Sequence, residues 1–350
     1  MNKMGFGLIG CGRISKNHLE SIQAIPEAQL IAVSDNDKVA LESAVQKYQC
    51  AGYENYQDLL ANPDLQVVNI CTPSGWHARM ALDAMEAGKH VIVEKPMAMS
   101  LAEADAMIAA AQKRGVKIAV THQNRFNRPV VKLREKLEKG KFGRLTHGSA
   151  VIRWNRNDQY YEQAPWRGTW AQDGGCLMNQ SIHNIDLLQW MMGPVASVFA
   201  YTATNLRKIE GEDAAVAVLK FENGAFATIE ATTTIFPTNL EETLNVFGTT
   251  GSAVLGGIAV NKIESWRFDD EDEKTVLGEQ FKEPPNVYGF GHADIIRDCI
   301  AAIAEDRDPA VSGTEGRKAL EIILGIYHSV RLRKEIQFPL KEEFVIGMGI

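Results

Sequence analysis

The stretch "MGFGLIGCGRIS", residues 4–15, joins a short apolar run to a glycine turn and to the start of a helical pattern. The order of strand, glycine turn and helix is typical of the βαβ unit that binds dinucleotides. In such a unit Gly10 supplies the tight turn, and Gly12 lets the backbone approach a pyrophosphate. We expect the pyrophosphate at the helix N-terminus, where unpaired N–H groups and the helix dipole favour negative charge.

The next apolar run, "LIAVSD" at 30–35, ends in an acid roughly 20 residues beyond Gly12. A carboxylate at this place accepts hydrogen bonds from the adenosine ribose hydroxyls. Asp35 would also repel a 2'-phosphate, and Asn36 follows it where an arginine would favour that phosphate. The sequence therefore predicts NAD as the cofactor, with NADP less favoured but kept open because Lys38 is close by.

Apolar strands and helical patterns alternate as far as residue 123, with strands at 67–73, 90–96 and 117–123. This alternation predicts an α/β fold, a Rossmann domain with a doubly wound parallel sheet over residues 1–123. Ligands of such sheets bind beyond the carboxyl ends of the strands. The residues at those ends are Thr72, Pro73, Ser74, Glu94, Lys95, Pro96, Gln123 and Asn124.

Lys95 is the most informative of these residues. It leaves an apolar strand and is followed by Pro96, which places it on a loop and not on a helix face. The alternatives are an ion pair with Glu94 or a plain surface lysine. Since functional residues concentrate on such loops, a role in the site is favoured.

The pattern changes after residue 123, which predicts a second domain over 124–350. A basic helix, a strand near 145–154 and an aromatic loop precede a helix at 174–190, and several strands then follow one another. Asn223-Gly224 is a strong hairpin signal, so we expect an α+β domain with an open, mainly antiparallel sheet. Helices return at about 289–304 and 315–333, and the last of them is the candidate to pack back near the first domain.

Composition excludes several classes of protein. The chain has 350 residues, 45% of them hydrophobic, and its five cysteines are scattered without a C-x-x-C pair. Neither a disulfide framework nor a zinc site is suggested, and His122, His147 and His292 show no ligand spacing, so no metal is predicted. No apolar run is long enough to span a membrane, and the N-terminus lacks the features of a signal peptide. We expect a soluble, cytoplasmic enzyme.

Charge gives two further expectations. The formal net charge of -7 argues against a nucleic-acid partner. The segment 125–144 runs against this balance, since it holds eight Lys or Arg and two Glu. It is either the solvated face of an exposed helix or an anion-steering patch beside a ligand site. A wide sheet also needs cover on its second face, which predicts a homodimer or homotetramer formed through the C-terminal sheet.

The helix at 174–190, "GGCLMNQSIHNIDLLQW", carries a polar stripe of Asn179, His183, Asp186 and Trp190 at helical spacing. His183 is the candidate general acid or base, because imidazole exchanges protons near neutral pH. Asp186, one turn further on, is expected either to orient His183 or to cap a neighbouring loop.

The motifs "GCGRIS", "CTPSGWH", "EKP" and "GGCLMNQSIHNID", in this order, resemble the Gfo/Idh/MocA family of NAD(P)-dependent oxidoreductases. The resemblance implies that Lys95 binds and polarises the reacting hydroxyl or carbonyl, and that the helix at 174–190 supplies the acid or base. Many members carry an aspartate four residues before the histidine, where this chain has Asn179. An amide holds no negative charge, so a two-residue proton relay is not expected here.

The stretches "QNRFN" and 160–190 are more similar to the branch that oxidises nucleotide sugars for bacterial surface polysaccharides, at C3 of UDP-N-acetylglucosaminuronate. A diphosphate and a carboxylate would suit the chain's arginines. Those arginines are Arg125, Arg128, Arg153, Arg156 and Arg167. Two other functions remain open: a dehydrogenase of a simple sugar or inositol, and a nicotinamide-binding sensor without catalysis.

The candidate residues fall into three groups. Lys95 and His183 are the catalytic candidates, and their roles could be exchanged if burial lowers the lysine pKa. The cofactor-binding candidates are Gly10, Gly12, Arg13, Ile14, Asp35, Thr72, Pro73, Ser74, His77, Glu94, Lys95 and Gln123. The substrate-binding candidates are Lys95, Asn124, Arg125, Arg153, Tyr161, Trp166, Arg167, Asn179, Gln180 and His183.

Overall fold

A computed structural model describes residues 3–279, 281, 283–284 and 286–341 of the chain. The chain forms two compact units: Met1–His122 with His292–Arg317, and Gln123–Gly291 with Lys318–Ile350. The division therefore differs from the contiguous one predicted at 123/124, because the segment 292–317 joins the first unit. The predicted second domain also included "FVIGMGI" at 344–350, which lies outside the described residues.

The first unit contains a six-stranded sheet in the order β3-β2-β1-β4-β5-β6, with every pair parallel. Its strands are β1 Met4–Ile9, β2 Ala28–Ser34, β3 Ala51–Tyr53, β4 Val67–Ile70, β5 His90–Val93 and β6 Ile118–Val120. The chain order reverses between β1 and β4, which is where doubly wound sheets bind ligands. The predicted Rossmann sheet is confirmed.

Helices connect these strands. They are α1 Ser15–Ala24, α2 Lys38–Tyr48, α3 Tyr56–Leu60, α4 His77–Glu86 and α5 Leu101–Arg114. The local sequence fixes their ends: the Asp37 side chain accepts two backbone N–H groups at the start of α2, and Gly115 ends α5 in the left-handed conformation. α1 differs, because Ile14 precedes it without a side-chain cap.

The second unit contains an eight-stranded sheet in the order β13-β12-β11-β7-β10-β9-β8-β14. Its strands are β7 Leu145–Arg153, β8 Val195–Ala203, β9 Ala214–Phe221, β10 Phe226–Thr232, β11 Glu241–Gly248, β12 Gly251–Gly256, β13 Lys262–Phe268 and β14 Ile336–Gln337. β7 and β10 pair in parallel and the other pairs are antiparallel. This confirms the predicted open, mainly antiparallel sheet, including the hairpin at Asn223-Gly224 between β9 and β10.

The remaining helices are α6 Arg128–Glu138, α7 Asp158–Glu162, α8 Ile182–Met192, α9 Glu273–Leu277, α10 His292–Ala304 and α11 Gly313–Leu332. α10 belongs to the first unit and contacts α1. α8 covers the inner face of the second sheet at β7, where a Cβ added to Gly148 would lie 3.4 Å from Leu188. Among the described residues, no helix is long and apolar enough to cross a membrane.

The outer face of the second sheet carries apolar side chains. Tyr201, Val216, Val218 and Phe226 are each at least half exposed. The register places Tyr201 opposite Val216, and β9 pairs along its length with β10, so these residues lie on three neighbouring strands. We call these four residues the outer-face patch. An exposed apolar patch on a sheet is typical of a surface that is covered by another molecule.

Candidate active site

The glycine turn between β1 and α1 has the geometry that a dinucleotide needs. Gly10 has φ +95°, and a Cβ there would lie 2.8 Å from the Cys71 carbonyl, so only glycine fits. A Cβ added at Gly12 would meet nothing within 4 Å, which leaves open space above its backbone. α1 begins beside this space without a side-chain cap, and the dipole of a helix favours an anion at its N-terminus.

Asp35 lies immediately after β2, and its carboxylate is held in place by the backbone. Oδ2 accepts the Cys11 N–H at 2.6 Å, and Oδ1 accepts the Asp37 N–H at 2.8 Å. Lys38, which kept NADP open, instead forms an ion pair with Glu54 at 2.9 Å. The residues around the turn therefore fit NAD, with a fixed carboxylate where the ribose hydroxyls would lie.

Thr72 lies in the loop after β4, and His77 begins the helix α4 that follows this loop. The buried Oγ1 of Thr72 has no hydrogen-bond partner among the described residues. His77 was predicted to bind the cofactor, but its ring is fully buried and bonds backbone carbonyls. Nδ1 lies 2.7 Å from the Pro96 oxygen and Nε2 lies 2.9 Å from the Thr72 oxygen. His77 therefore joins the loops after β4 and β5 and has no surface left for a cofactor.

The loop after β5 presents Lys95. Glu94, Pro96, Met97 and Ala98 are buried, whereas Lys95 between them is partly exposed. Glu94 was also predicted to bind the cofactor, but its carboxylate faces the protein interior: Oε1 lies 2.8 Å from His18 Nε2 and Oε2 accepts the Lys95 N–H at 3.3 Å. Glu94 therefore supports Lys95 from behind, and its oxygens are already in use.

In the second unit, the helix predicted at 174–190 begins with a π-helical turn, Leu177–Ser181, before α8. A π turn inserts a residue into the helix, and such turns occur frequently at functional sites. Asn179 lies in this turn and donates to the buried carboxylate of Asp173, whose other oxygen accepts the Gly168 N–H at 2.6 Å. The chain thus has a carboxylate behind Asn179 that the spacing along the helix did not predict.

His183 follows in the first turn of α8 and is nearly buried. Asp186, which was expected to orient His183 or to cap a loop, forms a two-pronged ion pair with Arg125, with N–O distances of 2.7 Å and 2.6 Å. Arg125 also stacks on Trp190 at 4.8 Å. Asp186 and Trp190, at the C-terminal end of the polar stripe, therefore make structural contacts with Arg125. We leave Arg125 out of the proposed substrate contacts.

The predicted anion-binding arginines divide into two groups. Arg153 pairs with Glu230 and Glu241 on the neighbouring strands at 2.7 Å and 2.6 Å, so its charge is already neutralised and it too is left out. Arg156 and Arg167 form no ion pair with a carboxylate in the part of the chain that the structure describes. Arg167 stacks on the Tyr160 ring at 4.2 Å and on the Trp166 ring at 4.8 Å.

Arg156 connects these aromatic residues to the π turn. It lies 4.6 Å from the Trp154 ring and donates from Nε to Gln180 Oε1 at 3.0 Å. Gln180 in turn donates to the Tyr160 hydroxyl at 3.0 Å. Burial lowers the pKa of Arg156. Arg156, Tyr160, Trp166, Arg167 and Gln180 form what we call the arginine–aromatic cluster, which would bind an anion.

The remaining candidates occupy less distinctive positions. Tyr161 shares a hydrogen bond of 3.2 Å with the Thr233 hydroxyl. Gln123 and Asn124 are buried, and Gln123 donates to the Tyr288 carbonyl at 3.3 Å. Arg13 is exposed beside the glycine turn, and Pro73 and Ser74 begin the short turn before α4.

The basic segment 125–144 is not an open anion-steering patch. Lys136 and Lys141 pair with Asp270 at 2.8 Å and 3.0 Å, and Lys132 pairs with Glu279. The acidic loop 268–274 thus neutralises part of the basic helix, and α9 begins within it.

Two buried acids near α8 were missed from the sequence. Glu212 accepts the Leu177 N–H at 2.8 Å and the Tyr327 hydroxyl at 3.1 Å, so it anchors the start of the π turn. Burial raises the pKa of Glu242 to about 8, although Asn184 and Arg156 lower it. At neutral pH Glu242 is therefore mostly uncharged and offsets little of the charge of Arg156. No local signal marks either acid, because both act through tertiary contacts.

The glycine turn, the Asp35 carboxylate held by backbone N–H groups and the partly exposed Lys95 together define an NAD-dependent oxidoreductase. Residues 4–122 match the model of an oxidoreductase family with an NAD-binding Rossmann fold, and residues 130–254 match the GFO/IDH/MocA C-terminal domain. The chain belongs to this GFO/IDH/MocA family. Both the family and the NAD cofactor predicted from the sequence are confirmed.

The chain is similar to two solved WlbA dehydrogenases, each in complex with NADH and UDP-GlcNAcA. The enzyme of Bordetella pertussis is 37% identical with a TM-score of 0.89, covering 97% of this chain and 100% of that one. The enzyme of Chromobacterium violaceum is 36% identical with a TM-score of 0.90, covering 98% of each chain. A myo-inositol 2-dehydrogenase of Thermotoga maritima is 28% identical over 98% of this chain and 100% of that protein.

Proposed function

We propose that the protein oxidises C3 of a nucleotide sugar, UDP-N-acetylglucosaminuronate or a near relative, with NAD, in the synthesis of a bacterial surface polysaccharide. One observation carries the choice of an anionic sugar over a neutral one. In the unit that holds His183, Arg156 and Arg167 lie among aromatic rings without a carboxylate partner among the described residues. Planar guanidinium groups bind phosphates and carboxylates in two-pronged fashion.

The electrostatics of the arginine–aromatic cluster support this choice. Arg156 and Arg167 are half-buried, and a partly desolvated cation without a counter-ion is stabilised when an anionic substrate binds beside it. The WlbA dehydrogenases that resemble this chain were solved with UDP-GlcNAcA, which carries a diphosphate and a carboxylate.

Oxidation of a secondary alcohol requires the hydroxyl proton to leave as the carbon loses hydride. Bound NAD supplies the hydride acceptor. We assign to His183 the acceptance of the hydroxyl proton and to Lys95 the stabilisation of the developing alkoxide by its ammonium group. The loop that holds Lys95 is anchored on both sides, by Glu94 to its N–H and by His77 to the next carbonyl.

Asn179 has a separate role in this proposal. Its side-chain NH₂ donates to Asp173, and its Oδ1 accepts from Gln180 at 3.1 Å. The Asp173 carboxylate thus fixes the orientation of the amide next to the arginine–aromatic cluster. We propose that Asn179 and Gln180 align the sugar, while the proton passes to His183.

A panel of substrates tests the proposed function. Purified protein with NAD is mixed separately with UDP-N-acetylglucosaminuronate, UDP-N-acetylglucosamine, free N-acetylglucosamine and myo-inositol, and the absorbance of reduced nicotinamide is followed. We expect reduction with the uronate alone or far ahead of the others. Because slow release of NADH would limit the signal to one turnover, an added keto acid acceptor serves as a parallel arm.

The second candidate is a dehydrogenase of a simple sugar or inositol. It is favoured by the full-length likeness to a myo-inositol 2-dehydrogenase. Turnover of myo-inositol or free hexoses without turnover of any UDP-sugar would establish this candidate and reject the first.

We further propose that the outer-face patch binds a second copy of the chain, giving a homodimer or a homotetramer. Tyr201 is 72% exposed and Val218 is 50% exposed in the isolated chain. Contiguous apolar area of this kind is stabilised by self-complementary contact. Lysine at both Val216 and Val218 should shift the mass in sedimentation equilibrium to that of a monomer. Lysine at both Ser43 and Gln46, which are exposed on α2 of the first unit, is the charge-matched control and should leave the mass unchanged. An unchanged mass for the Val216 and Val218 double variant would contradict the proposed interface.

A further inference from the structure

A buried group of three titratable residues lies in the first unit behind Lys95. It consists of His18 on α1, Glu94 after β5 and His292 on α10, all less than a tenth exposed. His18 Nε2 lies 2.8 Å from Glu94 Oε1, and His292 Nε2 lies 3.9 Å from the same oxygen. The two imidazole rings meet edge to face with their centres 5.2 Å apart. Neither histidine is used in the proposed chemistry.

The hydrogen bonds determine the charge of His18. Its Nδ1 lies 3.1 Å from Asn69 Oδ1, and the Asn69 amide nitrogen donates to the Gly7 carbonyl at 3.4 Å, so the amide oxygen must face His18. The other nitrogen faces the Glu94 carboxylate. With Glu94 ionised, both neighbours are acceptors, and an imidazolium with two N–H groups satisfies both. The hydrogen bonds therefore fit a charged His18 paired with a charged Glu94.

The pKa values point the same way. Burial lowers the pKa of His18, but contacts with Cys71 and Glu94 outweigh it and raise this pKa well above its ordinary value. Burial raises the pKa of Glu94, but the hydrogen bond and the charge of His18 lower it to about 2. Burial, followed by the charge of His18, lowers the pKa of His292 to about 3, so this ring stays neutral. The group thus carries one positive and one negative charge at neutral pH.

We propose that His18 is a positioning residue for the oxidation, acting through Glu94 on the backbone of Lys95. This inference rests on the proposed role of Lys95. Glu94 Oε1 is occupied by His18, which leaves Oε2 to accept the Lys95 N–H. His77 fixes the following carbonyl at Pro96 from the other side. His18, acting through Glu94, and His77 thereby hold the backbone at Lys95. This backbone sets the direction of the lysine side chain.

The charge of His18 also matters for the Lys95 ammonium group. If His18 were neutral, the buried Glu94 carboxylate would either take up a proton or pair with another cation, and Lys95 is its neighbour in the chain. Either change would reorient the lysine that the substrate needs. The groups that face His18 and Glu94 are Asn69, Cys71, Lys95 and His292, and none of them replaces the positive charge at the position of His18.

The pair links stability to pH in a defined direction. Because the pKa of His18 is raised in the folded state, its contribution to the free energy of unfolding is fully present below the ordinary histidine pKa. That contribution is lost as pH rises through the pKa of the folded state. Because the folded pKa of Glu94 is lowered to about 2, its contribution is present above the ordinary glutamate pKa and is lost as pH falls toward 2. The loop at Lys95 should therefore be best ordered between these limits.

His18→Gln tests the inference, since glutamine keeps a donor but removes the charge. We expect turnover to fall about 10- to 100-fold, as for a misplaced reacting group, with NADH binding by fluorescence close to that of the parent. The melting temperature should fall, because Glu94 loses its charged partner. The pH profile should lose its alkaline limb. Glu94→Gln should show a similar loss, and the double variant should recover part of the rate, because it restores an uncharged hydrogen-bonded pair. His90→Gln, at the opposite end of β5, is the matched control and should retain the parent profile.

The outcomes separate this inference from the proposed function. Full activity in Lys95→Ala would reject the role of Lys95 and with it this inference, whereas the substrate panel tests the proposed function separately. An inactive Lys95→Ala together with a parental rate and pH profile in His18→Gln would reject the positioning role alone. Nitrogen-15 imidazole spectra of the intact protein give an independent readout, in which two protonated nitrogens at His18 at pH 8 are expected. A neutral His18, or stoichiometric uptake of added Zn²⁺ by this group, would overturn the inference.

Discussion

Replacement of Lys95 by alanine should lower the turnover of the sugar about 10³-fold while NAD binding is retained. Removal of one electrostatic stabiliser of a developing oxyanion costs rates of this order, which corresponds to about 4 kcal/mol of activation free energy. The backbone at Lys95 is held by Glu94 and His77, so truncation of its side chain should not disturb the loop. Initial rates at saturating NAD measure the loss, and NADH fluorescence titration measures the binding.

Lys113→Ala is the control for Lys95→Ala, because Lys113 lies exposed in the last turn of α5 in the same unit. It should leave the rate unchanged. If Lys95→Ala retained more than about a tenth of the parental turnover, the lysine would not carry the stabilisation that we assign to it. Loss of NADH binding together with activity would instead assign Lys95 to the cofactor.

Replacement of His183 by asparagine should lower turnover about 10²- to 10⁴-fold, the range for loss of a positioned general base. Asparagine keeps a polar group of similar size at a nearly buried position, so the second unit should remain folded. Since Glu212 anchors the start of the π turn independently, the turn should be unchanged. Stopped-flow measurement of the first turnover separates this chemical step from release of NADH.

His147→Asn is the matched control for His183→Asn, because His147 is an exposed histidine on β7 of the same unit. It should retain the parental single-turnover rate. A single-turnover rate of His183→Asn within a few-fold of the parent would remove His183 from the chemistry, and Asn179→Asp would then become the informative variant. A large gain in rate for Asn179→Asp would show that a carboxylate at this position assists His183.

The sequence was sufficient for the parallel sheet and its glycine turn because their signals are local. Gly10 has the positive φ that its turn requires, and Asp35 directly follows the strand predicted before it. Hydrophobic alternation and the Asn223-Gly224 hairpin were likewise enough for the second sheet. Where a residue type is dictated by its own backbone conformation or by strand periodicity, a single sequence contains the information.

The candidate site was less predictable, because its side chains are directed by residues distant in sequence. Helical spacing placed Asn179 and Asp186 on one stripe, but the π turn and the partners Asp173 and Arg125 give them separate tasks. Counting charges along 125–144 suggested an anion site, yet carboxylates from another loop neutralise several of its lysines. Arg125 and Arg153 are paired with carboxylates, whereas Arg156 and Arg167 form no such pair among the described residues. The number of arginines in the sequence does not reveal this difference.

The decisive measurement is the fate of a deuterium label placed at C3 of UDP-N-acetylglucosaminuronate. The protein is mixed with this sugar and NAD, and the reduced nicotinamide is isolated after a single turnover and analysed by mass spectrometry. Oxidation at C3 predicts one deuterium in the reduced cofactor and a slower chemical step than with the unlabelled sugar. Reduced cofactor without deuterium would place the oxidation at another carbon, and absence of any reduced cofactor, while myo-inositol is turned over, would contradict the nucleotide-sugar function altogether.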